Sequence, residues 1–290
     1  MLSALTGSEP LLLSVVFVFG LLVGSFLNVV ILRLPARMEH EWRCQCRDLL
    51  ELEGEPGPAP ADLVWGRSRC PSCKQLITAW QNIPLLSYLL LRGRCSHCRT
   101  RISARYPLVE ALTGLLFAAV AWQFGPGIPL LAGLVFTAWL VALSGIDLDH
   151  QLLPDNLTLP LLWLGLLASL FGLFTDPVSG IIGAIAGYLI LWTIFHLFKL
   201  LTGKEGMGYG DFKLMAALGA WMGWQILPLV ILLSSLVGAL VGLLMLGLKR
   251  HQAGQPIPFG PFIAAAGWIA LLFGDRLIEF YLRSSGMLIA

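Results

Sequence analysis

Charged residues are scarce in this chain. Of its 290 residues only 12% are Asp, Glu, Lys or Arg, whereas 57% are hydrophobic. The charged share is about half of what is usual for a soluble domain. Disordered, collagen-like and coiled-coil chains do not tolerate so apolar a composition, and six cysteines are too few for a secreted disulfide scaffold of this length. Because a soluble domain could not bury this much apolar surface, the composition predicts an integral membrane protein.

Motifs that would define several other protein classes are also missing. The sequence has no Gly-x-Ser-x-Gly motif of serine hydrolases, no Walker phosphate loop and no Gly-x-Gly-x-x-Gly dinucleotide turn. It has no basic run interleaved with aromatic residues either. We therefore expect no nucleic-acid partner.

The few charges are concentrated in one segment. Residues 33–106 make up only about a quarter of the chain, yet they carry more than half of its charged side chains, including most of its Lys and Arg. The rest of the chain is almost free of charge by comparison. This contrast predicts three parts: a first transmembrane helix (1–32), a soluble-like cytoplasmic segment (33–106) and a transmembrane core (107–290).

The remaining sequence is apolar enough for about eight transmembrane helices, each of which needs about 20 apolar residues. Two uncharged runs are long enough for two crossings each, and they are interrupted at Gly125-Pro-Gly-Ile-Pro129 and near residues 224–228. We predict an all-α polytopic membrane protein that includes a small zinc-binding cytoplasmic insert. Its spans lie within residues 11–32, 111–146 (two spans), 156–174, 178–198, 214–248 (two spans) and 262–273 with its flanks.

The distribution of Lys and Arg predicts the orientation of these spans in the lipid bilayer. If residues 33–106 are cytoplasmic, then residues 147–155, 199–213 and 249–255 are cytoplasmic too. These four segments contain all Lys and Arg residues except Arg276 and Arg283. The N-terminus is then outside, and the first span is a retained helix rather than a cleaved signal peptide.

Small residues recur at four-residue spacing in three of the predicted spans. In lipid, such spacing lets helices approach closely, and we interpret the three pairs as packing sites. Asn28 lies on the Gly24 face of the first span, where we expect it to hydrogen-bond to a neighbouring helix. The pairs are Gly20/Gly24, Gly183/Gly187 and Gly238/Gly242.

Four of the six cysteines form two C-x-x-C motifs, Cys70-Pro-Ser-Cys73 and Cys95-Ser-His-Cys98, which are separated by a loop. Two such knuckles can complete a tetrahedron of thiolates around zinc, whereas disulfides are disfavoured in the cytoplasm. We predict a structural zinc site with Cys70, Cys73, Cys95 and Cys98 as ligands, and His97 is not needed. Zinc would stabilise a segment that has few apolar runs.

The other two cysteines, Cys44 and Cys46, allow more than one interpretation. They could add ligands or bind a second metal ion. We favour free cytoplasmic thiols.

Two aspartates at the membrane edge are the candidate catalysts. Asp147 directly follows the third span, Asp211 directly precedes the sixth, and the predicted orientation places both on the cytoplasmic side. Ionisable residues at membrane depth are functional candidates. Two carboxyl groups that share a proton can hydrolyse an amide with water, one as acid and the other as base. Gly208 and Gly210 would permit turns and close approach beside Asp211. Alternatively, each acid only marks the water boundary.

Other acids near these positions are weaker candidates. On a helix Asp149 is turned about 200° away from Asp147, and Asp155 fits a helix cap. Glu110 could tune the aspartate pair or pair with Lys or Arg, although we favour a structural role. A Mg²⁺ site built from Asp147, Asp149 and Asp211 is a competing hypothesis.

Motifs over nearly the whole chain resemble those of the bacterial type IV prepilin peptidases, the leader peptidase and N-methyltransferase family that serves type IV pili and type II secretion. Besides the two cysteine knuckles, the matching motifs are Gly24-Ser-Phe-Leu-Asn28 with Arg33-Leu-Pro35, Asn82-Ile-Pro-Leu-Leu-Ser-Tyr88, Arg105-Tyr-Pro-Leu-Val-Glu110, Asp147-Leu-Asp-His-Gln-Leu-Leu-Pro-Asp155, Gly206-Met-Gly-Tyr-Gly-Asp-Phe-Lys213 and Pro256-Ile-Pro-Phe-Gly-Pro261.

This resemblance implies an aspartic endopeptidase of the bacterial inner membrane, with Asp147 and Asp211 as its catalytic aspartates. Such an enzyme cleaves the basic leaders of type IV prepilins and type II secretion pseudopilins at the cytoplasmic membrane face, after a glycine. The resemblance also implies N-methylation of the new N-terminus with S-adenosylmethionine, because the cysteine-bearing segment accompanies the bifunctional members. The residues themselves identify no methyl-donor pocket. A hypothesis from another class is a zinc-stabilised membrane scaffold or transporter whose acids carry protons or ions.

Overall fold

The computed structural model describes residues 9–52, 57–247 and 257–285. Within these residues the secondary structure is helical, apart from two isolated β-bridges, which confirms the predicted all-α fold class. Short 3₁₀ turns occupy Ala79–Asn82 and Trp224–Ile226. The α-helices are α1 (Glu9–Leu49), α2 (Leu86–Leu90), α3 (Arg105–Phe124), α4 (Ile128–His150), α5 (Asp155–Leu170), α6 (Pro177–Thr202), α7 (Tyr209–Met222), α8 (Leu227–Gly247) and α9 (Gly260–Ser284).

Each predicted span coincides with a helix, although not every helix is long enough to cross a bilayer by itself. Among the described residues, six helical stretches have the length and composition of a span: α1, α3, α4, α6, Trp224–Met245 and α9. The helices α5 and α7 have only 16 and 14 residues, so the predicted number of eight is approximate. The predicted interruptions are confirmed at Gly125 and Gly223, which have φ angles of +62° and +83°.

The first helix is much longer than its predicted span. The span was predicted to end at residue 32, but α1 continues through Arg33 and Pro35 to Leu49. Its 41 residues correspond to about 60 Å at 1.5 Å per residue, about twice the thickness of the hydrocarbon core. The charged segment therefore begins as a continuation of the first helix.

The chain divides into two compact units, Met1–Leu130 (unit 1) and Leu131–Ala290 (unit 2). In unit 1, α1 and α3 pack closely at the first glycine pair. A Cβ atom added to Gly20 or to Gly24 would lie 2.8 Å from the Cα atom of Gly114 or Glu110, respectively. The Asn28 side-chain amide donates a hydrogen bond to the Tyr106 carbonyl of α3 at 3.1 Å. The predicted roles of this glycine pair and of Asn28 are confirmed.

In unit 2 the short helix α7 forms the core and contacts α5, α6, α8 and α9. It approaches α6 at the second glycine pair, where a Cβ on Gly183 would lie 2.3 Å from the Gly219 carbonyl oxygen. Trp221 of α7 donates its indole N–H to the Leu161 carbonyl of α5 at 2.8 Å. The third predicted pair, Gly238/Gly242, faces side chains rather than a helix backbone. The predicted cytoplasmic loop 249–255 and the N-terminal residues 1–8 lie outside the described residues.

Candidate active site and metal site

Asp147 lies near the end of α4 and is buried, with 5% of its surface exposed. Its Oδ2 atom accepts a hydrogen bond of 3.0 Å from the backbone N–H of Gly260, the first residue of α9. The first N–H groups of a helix have no partner within the helix and attract negative charge. The start of α9 therefore provides a donor that fixes the Asp147 carboxyl group.

Asp211 is the third residue of α7 and is also buried, with 6% of its surface exposed. Its Oδ2 atom accepts a hydrogen bond of 3.1 Å from the Gly208 N–H, just before the helix. A carboxyl group in the first helical turn is also stabilised by the helix dipole. Both candidate aspartates are thus oriented by backbone donors at helix starts.

Leu153 packs against two glycines of the site: Gly210, which precedes Asp211, and Gly260, which donates to Asp147. A Cβ on Gly210 would lie 2.6 Å from the Leu153 Cβ, and one on Gly260 would lie 3.1 Å from the Leu153 Cδ1. The predicted need for close approach is confirmed for Gly210. Gly208 has no such need, since its φ is −86° and the nearest atom to an added Cβ is 3.9 Å away.

The Asp147 and Asp211 carboxyl groups lie close enough for their charges to interact. The structure thus brings together, within unit 2, two acids that lie on different helices and far apart in the sequence. Burial makes a pair of neighbouring negative charges costly. Two carboxyl groups in such surroundings can divide the roles of acid and base between them.

The neighbouring acids have other environments. Asp149 is exposed while Asp147 is buried, as the helical spacing predicted. Asp155 is not a helix cap, because Pro154 occupies that position. Instead its two carboxylate oxygens accept from the Lys213 ammonium at 2.6 and 2.8 Å. This ion pair links the start of α5 to α7.

Glu110 belongs to unit 1 and is buried in α3. Its carboxylate accepts a hydrogen bond of 2.9 Å from the backbone N–H of Leu85. Leu85 has a φ of +57°, which is unfavourable for a leucine. Glu110 therefore supports the backbone of the insert, in agreement with the structural role that we favoured.

The four predicted zinc ligands come together in unit 1. The sulfur atoms of Cys70, Cys73, Cys95 and Cys98 all lie within 4.8 Å of one another, and those of Cys70 and Cys98 are 3.7 Å apart. Zinc–sulfur bonds of about 2.3 Å in a tetrahedron place the sulfurs about 3.8 Å apart. Among the described residues, this is the one His, Cys, Asp and Glu cluster that could hold a metal ion, so the Mg²⁺ hypothesis gains no geometric support.

The two cysteine knuckles have the same backbone structure. In each, the N–H of the first cysteine donates to the carbonyl five residues later, at 2.9 Å from Cys70 to Gln75 and from Cys95 to Thr100. The residue after the second cysteine is Lys74 in the first knuckle and Arg99 in the second, and their φ angles are +59° and +60°, respectively. The shared order Cys-x-x-Cys followed by a basic residue signals this repeat in the sequence, although we did not predict it.

The thiols of this cluster have unequal acidities. Hydrogen bonds to the Thr100 side chain and backbone lower the pKa of Cys98 to about 6. Although a hydrogen bond to the Gln75 backbone favours the Cys73 thiolate, desolvation and the neighbouring sulfurs raise the pKa of Cys73 to about 11. Adjacent thiolates repel one another, and a bound cation would relieve that repulsion.

The remaining two cysteines lie on the extension of α1. Cys46 is exposed, and the Cys44 sulfur is 3.6 Å from the His40 Nε2 one turn earlier. Neither belongs to the four-cysteine cluster. Their assignment as free thiols is consistent with this position.

The fold and these sites define a polytopic membrane protein with a buried aspartate pair in one unit and a four-cysteine cluster in the other. Residues 18–124 match the family model of the Bacterial Peptidase A24 N-terminal domain, and residues 134–243 match that of the Type IV leader peptidase family. The chain belongs to the type IV leader peptidase family, as its motifs predicted.

Several curated proteins with the name "Prepilin leader peptidase/N-methyltransferase" are similar to this chain over most of its length. The protein from Pseudomonas aeruginosa is 59% identical over 267 residues, and the one from Stutzerimonas stutzeri is 58% identical over 266 residues; each alignment covers 92% of both chains. The protein from Aeromonas hydrophila is 58% identical over 280 residues, or 96% of both chains. No solved structure matches the chain significantly.

Proposed function

We propose that this protein is an intramembrane aspartic endopeptidase that removes the leaders of type IV prepilins and type II secretion pseudopilins, and then methylates the new N-terminus. The buried pair of Asp147 and Asp211 carries the peptidase proposal. The names of its close relatives support both the prepilin substrate and the methyl transfer.

In the proposed cleavage, one aspartate of the pair is ionised and the other is protonated. The carboxylate takes a proton from water, and the water oxygen attacks the carbonyl carbon of the scissile bond while the carboxylic acid donates to the carbonyl oxygen. The tetrahedral intermediate then loses its C–N bond. The aspartate that took the proton from water gives it to the leaving amine, and the other aspartate takes back a proton from a hydroxyl group of the intermediate as the C=O bond re-forms. The Gly260 N–H keeps the Asp147 carboxyl group in position throughout.

The position of the aspartate pair suits the proposed substrate. A prepilin has a basic leader followed by an apolar helix, so its scissile bond lies at the cytoplasmic boundary of the bilayer. In the proposed orientation Asp147, near the end of α4, and Asp211, near the start of α7, lie at that boundary. Cleavage there would require little unwinding of the substrate helix.

We place the protein in the bacterial inner membrane, with residues 1–32 as the first transmembrane helix, 33–106 as a cytoplasmic segment and 107–290 as the peptidase core. The distribution of Lys and Arg supports this orientation, since it keeps all of them inside except Arg276 and Arg283. The aspartate pair then faces the cytoplasm, where prepilins are made.

We further propose that Cys70, Cys73, Cys95 and Cys98 hold a structural zinc ion. The spacing of their sulfurs fits a tetrahedral site. Four protein ligands leave zinc no open position for a reactant, so the ion would cross-link the two knuckles. S-Adenosylmethionine, when bound, would supply an electrophilic methyl group for the amine that cleavage releases.

Mass spectrometry of a reconstituted reaction tests the proposal. Purified protein in lipid nanodiscs is mixed with a type IV prepilin and with S-adenosylmethionine that carries a deuterated methyl group. We expect a leader peptide that ends in glycine and a mature chain with one labelled methyl group on its new amine. Intact prepilin would refute the peptidase assignment. Cleaved but unmethylated product would refute the second activity alone.

A further inference from the structure

A cavity of about 520 Å³ lies within unit 1. It forms where α1, α3 and the cysteine-bearing segment meet, and its volume is typical of sites for small organic ligands. The side chains that matter here are Ser25 and Asn28 of α1, Tyr106 and Glu110 of α3, and Gln81 and Tyr88 of the segment.

Glu110 is the side chain in this cavity that most strongly favours a bound ligand, because its carboxyl group is buried without a cationic partner among the residues that the structure describes. Only 8% of its surface is exposed, and its carboxylate accepts a hydrogen bond from a neutral donor, the Leu85 backbone N–H. Within the described part of unit 1, no ion pair of Glu110 with Lys, Arg or His is present. A buried carboxylate without a cation is costly, so a positively charged ligand would complete this site.

The other walls match the rest of such a ligand. Asn28 is buried and uses its amide nitrogen on the Gly24 and Tyr106 carbonyls, which leaves its amide oxygen as an acceptor. Arg101 at another wall can pair with a carboxylate. Tyr88 and Tyr106 provide aromatic surface against which a planar heterocycle can pack.

We propose that this cavity binds S-adenosylmethionine, with the Glu110 carboxylate facing the positive charge of the ligand. The sulfonium and ammonium groups match the buried acid, the carboxylate matches Arg101, and the adenosine has polar edges for Asn28 and Gln81. This inference rests on the methyltransferase half of the proposed function, and it names the site that this activity would use.

Glu110 accepts a hydrogen bond from the Leu85 N–H and, in our proposal, supplies a negative charge to the ligand. A substitution can separate these two roles. Glu110→Gln removes the charge but keeps a side-chain oxygen that can accept from the Leu85 N–H. Glu41→Gln is the matched control, because Glu41 is an exposed acid on the extension of α1, outside the cavity. Zinc content and thermal unfolding report whether each full-length variant is folded.

The test measures equilibrium binding of radiolabelled S-adenosylmethionine to the purified full-length protein. We expect Glu110→Gln to raise the Kd at least about tenfold, while Glu41→Gln leaves it unchanged. Photo-crosslinking of the bound compound, followed by peptide mapping, is expected to label cavity peptides from residues 25–33 or 81–110.

Three results would count against the site. A wild-type Kd in folded Glu110→Gln, or crosslinks that map outside the cavity, would refute it directly. A higher KM for the cleaved pilin with unchanged S-adenosylmethionine affinity would mean that Glu110 instead faces the pilin amine. If the wild-type protein does not bind S-adenosylmethionine, both the proposed site and the methyltransferase proposal fail. Leader cleavage is tested separately.

Discussion

At the scale of single residues, each proposed catalytic aspartate accepts a hydrogen bond from the backbone N–H of a glycine. Asp147 accepts from the Gly260 N–H, and Asp211 accepts from the Gly208 N–H. The glycine beside Asp147 also has no room for a side chain, since an added Cβ on Gly260 would lie 2.7 Å from the Asp147 Oδ2. The orientation of the Asp147 carboxyl group therefore depends on residue 260 having no Cβ atom.

Gly260→Ala should displace the Asp147 carboxyl group and lower the kcat of leader cleavage about 10- to 100-fold, because small misplacements of a catalytic group are costly. Gly242→Ala is the control, since the atom nearest to its added Cβ is 3.7 Å away. Initial rates on a purified prepilin measure both variants. Equal rates for Gly260→Ala and the wild type would show that this contact does not position Asp147.

The sequence motifs predicted Asp147, Asp211 and the four cysteines as site residues, but not the groups that hold the aspartates. The donor to Asp147 is a backbone N–H 113 residues away in the sequence. Every non-proline residue has such a group, so only the fold identifies the one that is used. The Asp155–Lys213 ion pair joins residues that are 58 positions apart in the sequence. It was not predicted, because only the fold shows that these two side chains meet.

At the scale of secondary-structure elements, α7 is the central helix of unit 2. Its 14 residues are too few to cross a bilayer alone, yet most of them are buried. The close approach of α6 and α7 is possible because small residues face each other, and an added Cβ on Gly219 would lie 2.1 Å from the Gly183 carbonyl oxygen. Backbone atoms cannot move aside as a side chain can.

Gly219→Ala should therefore push α6 and α7 apart and destabilise unit 2 by about 1–3 kcal/mol, the usual range for an overpacked core. Gly247→Ala is the matched control, because nothing lies within 4 Å of its added Cβ. The thermal unfolding midpoint in a fixed detergent compares the two. An unchanged midpoint for Gly219→Ala would contradict the close packing of these helices.

The positions of the helices were predictable because long apolar runs and the glycines and prolines that interrupt them are clear signals in the sequence. The lengths of the helices were less predictable. In the proposed topology the end of hydrophobicity at Arg33 marks where the chain leaves the bilayer, but a helix can continue beyond that boundary as long as its residues favour it. The α1 helix thus extends well beyond the predicted span, as far as Leu49, and Pro35 does not end it.

At the scale of the whole molecule, the two units carry different proposed functions. The aspartate pair belongs to unit 2, while the four cysteines and the cavity at Glu110 belong to unit 1. The described residues between α1 and α3, which include the cysteine-bearing part of unit 1, have few regular elements: one short helix and one 3₁₀ turn. A metal ion would stabilise such a segment more than its small apolar core can.

The double substitution Cys70→Ser with Cys95→Ser should abolish zinc binding and make residues 57–104 sensitive to limited proteolysis. Cys44→Ser with Cys46→Ser should retain about one zinc ion per chain, because those cysteines lie outside the cluster. Elemental analysis of the purified variants measures the metal. Zinc that persists after loss of Cys70 and Cys95 would contradict the site.

The proposed orientation can be tested with the native thiol of Cys46, which is exposed on the α1 extension. A membrane-impermeant maleimide should label Cys46 only after the inner membrane is opened, because we place this segment in the cytoplasm. A Cys46→Ser variant identifies the labelled site. Labelling in cells whose inner membrane is intact would reverse the orientation.

The central claim is that Asp147 and Asp211 perform the cleavage. Leader removal from a co-expressed type IV prepilin should fall at least about 10³-fold in Asp147→Asn and in Asp211→Asn, because an amide cannot act as acid or base. Asp176→Asn should process normally, since Asp176 is an exposed cap of α6 and asparagine caps equally well. Processing that persists in either Asp147→Asn or Asp211→Asn, in folded protein, would contradict the account.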